Sequence, residues 1–242
     1  MKQIVIFEDL GINQPYKEIW EMQEALLQEN VQLKSSGRVS EFGTDDLPQT
    51  HNHLLFVEHS PVYTLGKSGD MSHVLIDDSE RKQKGIDFFK INRGGDITFH
   101  GPGQLVGYPI LDLDHFKTDL GWYLRSLEEV IILTMGDYGL QGGRSKGETG
   151  VWLDAEIPGR ERKICALGIR CSRWITMHGF ALNVNTDLNY FSYIVPCGIH
   201  NKEVTSLKKE LGITVDMVQL KKKVLNNFEK VFQVNVTNKL SI

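Results

Sequence analysis

Much that would mark a specialised protein is missing from this chain, and each absence removes a class of function. No uninterrupted apolar stretch approaches the length needed to span a bilayer. The opening Met1-Lys2-Gln3-Ile4-Val5-Ile6-Phe7-Glu8 has too short an apolar run for a signal peptide and no Arg/Ser-rich transit character. A cytoplasmic protein with no membrane partner is therefore expected. The formal net charge is −4 and no basic aromatic motif occurs, so nothing points to nucleic acid. Neither G-x-x-x-x-G-K-[ST] nor G-x-G-x-x-G is present, and no nucleotide cofactor is implied. Three cysteines (Cys165, Cys171 and Cys197) cannot all pair, and their spacing fits no secreted disulfide framework. Cys197 and His200 have C-x-x-H spacing, and His178 and His100 could be drawn in. With no second cysteine or carboxylate at ligand spacing, no metal is expected. His51-x-His53 sits among polar residues and reads as solvated.

What is present is ordinary globular chemistry, with a few dense exceptions. The 242 residues are 40% hydrophobic and 24% charged, enough for a substantial core. Ile4–Phe7 reads as a short strand. Pro15 opens a helix with Ile19, Met22 and Leu26 on one face, ending near Lys34. Residues 35–52 form a polar loop. Strands follow at 54–58 and 62–65, then a polar, mobile segment from Lys67 to Gly85. Further strands are expected at 88–92, 96–100 and 104–111. Thr118 and Asp119 cap a helix carrying Leu120, Leu124, Leu127 and Ile131 on one stripe. Gly150–Asp154 and Lys163–Ile169 read as a hairpin joined by a long surface loop, 155–162. A strand at 180–184 and a turn from Asp187 through Phe191 come next. Asp216 caps a last helix that buries Val224, Leu225, Phe228, Val231 and Phe232. Helices and strands alternate without a βαβ rhythm, and neither repeats nor a second domain are visible. The expectation is a single α+β domain over 1–242, with a mixed or antiparallel sheet. The stretch 202–242 is rich in lysine, which is either a solvated helix face or an attraction for an acidic carrier.

The densest feature is Arg93-Gly94-Gly95-Asp96-Ile97-Thr98-Phe99-His100-Gly101-Pro102-Gly103-Gln104. Glycines bunched in this way let backbone approach a ligand closely. Alternation of Ile97 and Phe99 with Asp96, Thr98 and His100 gives a short strand with one polar face. That pattern fits either a small-molecule site or a Gly/Pro-rich turn between two core strands. Cys197, between Pro196 and Gly198, is the most suggestive thiol; Cys165 and Cys171 lie in strand patterns and read as small core hydrophobes. A free thiol is only about 3% ionised at pH 7, so a nucleophile needs a basic neighbour. Lys163, opening an apolar strand, is the candidate, against the alternative of a strand-end lysine in water.

Taken in order, four blocks resemble the lipoyl (octanoyl) transferase family. They are Arg93-Gly94-Gly95-x-x-Thr98-x-His100-x-Pro102-Gly103-Gln104, Lys163-Ile164-x-x-x-Gly168, His178-Gly179-x-Ala181-Leu182-Asn183 and Pro196-Cys197-Gly198. The likeness runs from about Leu54 to about Leu211. It implies the fold of biotin- and lipoate-protein ligases. The activity implied is octanoyl transfer from octanoyl-acyl carrier protein to a lysine of lipoyl-domain proteins, such as 2-oxoacid dehydrogenase E2 subunits or glycine cleavage H protein. On the same resemblance Cys197 is the nucleophile, Lys163 activates it, and no cofactor is used. The acyl site would be built from Arg93, Gly94, Gly95, Asp96, Ile97, Thr98, Phe99, His100, Ala166, Leu167, Gly168, Gly179, Phe180 and Ala181. Backbone N–H groups near Leu167 and Gly168, with His100, would serve the oxyanion. Two other readings share the fold: an ATP-dependent lipoate or biotin ligase, and a non-catalytic carrier-binding protein. The intact pair of Cys197 and Lys163 favours the transferase.

Overall fold

The computed structural model describes residues 2–37, 49–195 and 203–239. In chain order the elements are β1 (Ile4–Asp9), α1 (Tyr16–Gly37), β2 (Asn52–Val57), β3 (Val62–Leu65), a 3-10 turn (Met71–His73) and α2 (Asp78–Gln83). Then come β4 (Asp87–Lys90), β5 (Ile97–His100), β6 (Gln104–Ile110), α3 (Leu120–Gly136), β7 (Gly142–Gly143) and β8 (Val151–Leu153). The rest is β9 (Arg162–Ser172), β10 (Ile175–Asn183), a 3-10 segment (Leu188–Tyr193), β11 (Glu203–Val204), α4 (Leu207–Leu211), α5 (Met217–Phe232) and β12 (Asn235–Asn238).

Among the described residues the strands form two sheets. The larger runs β12-β1-β2-β6-β10-β9-β8-β7, with β11 added to β9; the smaller is β4-β3-β5. β1 is parallel to both β12 and β2, whereas β2, β6, β10, β9 and β8 pair antiparallel in turn. This is the mixed α+β arrangement expected from the sequence. One face of the larger sheet packs on α3 and α5 through residues such as Leu127, Ile131, Val224 and Phe228. The other carries Ile19 and Leu27 of α1 against Leu55, Val106 and Met177. No helix among the described residues is long and apolar enough to cross a membrane.

The helices largely obey their caps. Asp119 accepts from Trp122 N at 2.9 Å, and Asp216 accepts from Val218 N at 2.8 Å. Leu120, expected on the buried stripe of α3, is instead exposed, and Tyr123 and Val130 are buried. On α5 the buried residues are Leu220, Val224, Phe228 and Phe232, with Leu225 and Val231 only partly covered. In α1 the buried stripe is Ile19, Gln23, Leu27 and Asn30, rotated from the expected face; Met22 and Leu26 flank it. The polar members are there for their hydrogen bonds. Gln23 Oε1 accepts from His178 N, and Asn30 exchanges two bonds with the backbone of His51. The helix also runs to Gly37, past the expected stop at Lys34; of the expected 35–52 loop, residues 38–48 lie outside the described residues. The segment 67–85 is built rather than loose. Asp70 caps the 3-10 turn through Ser72 N at 2.8 Å, and Asp77 forms a reciprocal capping box with Glu80 at the start of α2. Strand β10 begins at Ile175, five residues before the expected start, because Thr176 and His178 are buried by their own hydrogen bonds.

Candidate active site

The expected acyl-site residues converge where β5 of the small sheet meets β6, β10 and β9 of the large one. They line a partly open cavity whose empty space, mouth and adjoining solvent included, is about 490 Å³. Its wall contains Arg93, Gly95, Asp96, Ile97, Thr98, His100, Ala166, Leu167, Gly168, Gly179, Phe180 and Ala181. Two expected members differ. Gly94 lines the adjoining outer opening instead. Phe99 is not part of this wall: it points away from the face that presents Thr98 and His100. There it stacks on Tyr190 with ring centres 4.5 Å apart and meets Phe191 and Tyr63 edge-on.

Tyr16, Val106, Tyr108 and His178 complete the wall. Period-two alternation along β6 could have picked out Val106 and Tyr108. No local signal marks Tyr16, which reaches the site only because α1 crosses it.

Close backbone approach explains the glycines. A side chain on Gly179 would begin 2.2 Å from the Gly107 carbonyl oxygen, and one on Gly168 would begin 2.9 Å from that of Gly94. At both positions β9 and β10 leave room for nothing larger than hydrogen.

Around the cavity runs a chain of hydrogen bonds with a definite direction. Arg93 Nη2 donates to the Thr64 carbonyl and to Thr64 Oγ1, at 2.6 and 2.9 Å. Gln104 Nε2 donates to the Phe99 carbonyl and to Asn183 Oδ1, so Gln104 Oε1 must be the atom facing His100 Nδ1 at 2.8 Å. His100 Nδ1 therefore carries the proton, and Nε2, 3.4 Å from Thr64 Oγ1, is an acceptor. Asn183 Nδ2 continues the chain to the Thr205 carbonyl, while Thr205 N donates to the Lys163 carbonyl. His100 thus holds Gln104 and stacks at 6.0 Å on Tyr16; it has no N–H to offer an oxyanion, contrary to the role expected for it.

The imidazoles here are neutral. Burial lowers His59 to about 4, opposed by its bond to the Gln14 carbonyl. Burial, then the charges of Arg93 and Arg170, lowers His178 to about 3. Burial and then His59 hold His100 well below its usual range. His178 also has a positive φ of 58°, unusual for a side chain in a strand. Its Nε2 donates to Asn92 Oδ1 at 3.0 Å, leaving Nδ1 a buried acceptor with no partner among the described residues.

Lys163 is buried, not a strand-end lysine in water. Its Nζ lies 4.5 Å from the centre of the Trp152 ring. It stands between two openings beside the acyl cavity. One is a recess shared with Thr98, Gln104, Ala166, Ala181, Asn183, Phe191 and Val204. The other is an outer opening of about 960 Å³, adjoining open solvent included, that also includes Ser68, Leu124, Glu148 and Thr149. Ala166 lines all three spaces, so they adjoin one another at that residue. Pro196, Cys197, Gly198 and His200 lie outside the described residues. Of the other thiols, Cys165 is fully buried, and burial pushes its pKa far up; Cys171 is only half-buried, less of a core residue than expected. Among the described residues no group of three or more His, Cys, Asp or Glu side chains is arranged to hold a metal.

The site is thus a slot lined largely by apolar surface where two sheets meet, with a buried lysine beside it. Residues 15–229 match the lipoyl protein ligase A/B catalytic domain. The fold is shared with a bi-partite lipoate protein ligase from Thermoplasma acidophilum, with a TM-score of 0.68 at 16% identity over 100% of this chain and 88% of that one. An octanoyltransferase of Flavobacterium johnsoniae is 56% identical over 98% of this chain and 100% of its own. One of Christiangramia forsetii is 56% identical over 98% of this chain and 99% of its own. The chain belongs to the octanoyltransferase family and is an acyltransferase, as the four sequence blocks implied.

Proposed function

We propose that this single catalytic domain moves an octanoyl group from octanoyl-acyl carrier protein to a lysine of lipoyl-domain proteins through a thioester on Cys197. The thiolate of Cys197 attacks the donor carbonyl, the bond to the pantetheine sulfur breaks, and that sulfur takes up the proton that Lys163 removed from Cys197. The acceptor amine then attacks the new thioester. A C–N bond forms, the bond to Cys197 breaks, and Lys163 accepts the amine proton. The first step exchanges one thioester for another and is nearly thermoneutral; the second makes an amide and runs downhill. Neither calls for ATP.

The observation that carries this reading is the setting of Lys163. It is buried beside the acyl cavity, in a recess whose wall includes both Phe191 and Val204. Those two residues flank, in sequence, the stretch 196–202 that contains Cys197. The cavity beside it suits a hydrocarbon chain, each buried CH₂ contributing about 0.8 kcal/mol. The test is to incubate the protein with octanoyl-acyl carrier protein alone and weigh it intact. An octanoyl adduct without ATP, prevented by prior alkylation of Cys197, is expected. An adduct that forms only with ATP would identify a ligase, and none under either condition a non-catalytic carrier-binding protein.

A further inference from the structure

The 3-10 turn Met71–His73 brings a histidine that the proposed chemistry does not use against Asp96, a residue of the acyl-cavity wall. His73 Nδ1 lies 2.5 Å from Asp96 Oδ2. Asp96 lines both the acyl cavity and the outer opening, and its other oxygen accepts from Ile97 N at 2.7 Å. The carboxylate is therefore held from two sides, once by its own strand and once by His73.

The backbone of the same histidine reaches in a second direction. Val195 N donates to the His73 carbonyl at 2.8 Å, and Leu75 N donates to the Tyr193 carbonyl at 2.9 Å. An antiparallel bridge joins Val74 to Ile194 between them. Val195 is two residues before Cys197 in the chain. At the other end of the segment, Lys67 N and Ser68 N donate to the carbonyls of Arg93 and Gly95. Residues 66–75 thus form a strap between the glycine-rich wall of the slot and the chain entering 196–202.

We propose that His73 is a positioning residue for acyl transfer. Its imidazole fixes Asp96 on the cavity wall while its carbonyl fixes Val195, so that one residue sets the spacing between the acyl slot and the segment leading to Cys197. This rests on the reading of Cys197 as the nucleophile. A half-buried His–Asp contact that served stability alone would not need its backbone tied to this segment. Alignment of thiol and thioester is where displacements of about 1 Å cost about 100-fold.

The experiment follows two reactions of Cys197 in the full chain, octanoylation from octanoyl-acyl carrier protein and alkylation by iodoacetamide. The small reagent does not use the acyl slot. His73→Ala should slow octanoylation more than tenfold while alkylation stays within twofold of wild type. His73→Asn, which keeps a donor near the Nδ1 position, should recover most of the loss. Asp96→Ala removes the acceptor facing His73; it should be at least as slow as His73→Ala, and the double variant should be no slower than Asp96→Ala alone. Octanoylation of His73→Ala at the wild-type rate would overturn the proposal. So would equal losses in both reactions, the mark of local unfolding, or additive losses in the double variant. A wild-type protein that is never octanoylated on Cys197 would instead remove the underlying function and take the proposal with it.

Discussion

Val204 is paired in register with Lys163, on the parallel strand β11. This pairing anchors the chain that follows 196–202 directly beside the buried amine. Thr205 N, one residue further on, donates to the Lys163 carbonyl at 2.9 Å. On the other side, Phe191 of the preceding 3-10 segment lines the same recess as Lys163.

If Cys197 is the nucleophile, Cys197→Ala should fold normally and form no octanoyl adduct by intact mass. A full-strength adduct in that variant would move the chemistry to another thiol. Cys165, fully buried and with its pKa raised by burial, is poorly suited to the part.

Lys163→Ala should slow acylation by more than about tenfold, the low end of what a positioned proton carrier contributes. Single-turnover rates with excess octanoyl donor measure this without interference from product release. An unchanged rate would leave Lys163 as packing for Trp152, whose ring it covers.

Ala181 lines both the acyl cavity and the recess at Lys163, and it is 4% exposed. Ala181→Leu should fill part of the slot. At about 0.8 kcal/mol, or roughly fourfold, per methylene, the preference for octanoyl over butyryl thioesters should fall by more than about tenfold. The ratio of kcat/KM for the two donors is the readout. A ratio equal to that of wild type would place the chain elsewhere.

Stability should decline on mild acidification. His59 and His178 stay neutral in the folded protein down to about 4 and about 3, whereas an unfolded histidine takes up its proton near 6.5. Below that value the unfolded state binds more protons than the folded one. The stabilisation is complete above about pH 6.5 and is lost as pH falls, at up to about 1.4 kcal/mol per unit for each such histidine. Urea midpoints at pH 7 and pH 5 should show the drop, and His178→Gln should make it shallower. Greater stability at pH 5 would contradict the buried neutral imidazoles.

Secondary structure is legible at the caps Asp119, Asp187 and Asp216, each of which accepts from a backbone N–H of the element that follows. The mixed sheet was legible too, but its order was not. That β1 lies between β12 and β2 depends on partners more than 40 residues away in one direction and more than 200 in the other, and no local pattern encodes such pairing. The buried face of α1 was misplaced because apolar spacing ignores Gln23 and Asn30, which are inside to satisfy backbone groups of His178 and His51. Polarity suggested a mobile 67–85 segment, yet Asp70, Asp77 and Glu80 supply caps that order it.

The site was legible because its residues come in dense blocks, where glycines mark close backbone approach and Lys163 interrupts an apolar strand. Phe99 and His100 were harder to judge. Side-chain direction turns Phe99 into a separate aromatic cluster, and the tautomer of His100 depends on Gln104, whose orientation is fixed by the Phe99 carbonyl. Tyr16 reached the cavity from a distant helix, beyond the range of any pattern in the chain.

The most direct measurement isolates the octanoylated protein free of donor and mixes it, without ATP, with a lipoyl domain carrying an unmodified lysine. Mass spectrometry then follows both proteins through one turnover. The account predicts that octanoyl leaves Cys197 and appears on the lysine in equal amount. Octanoyl that stays on the protein, or reaches the lysine without ever occupying Cys197, would contradict it.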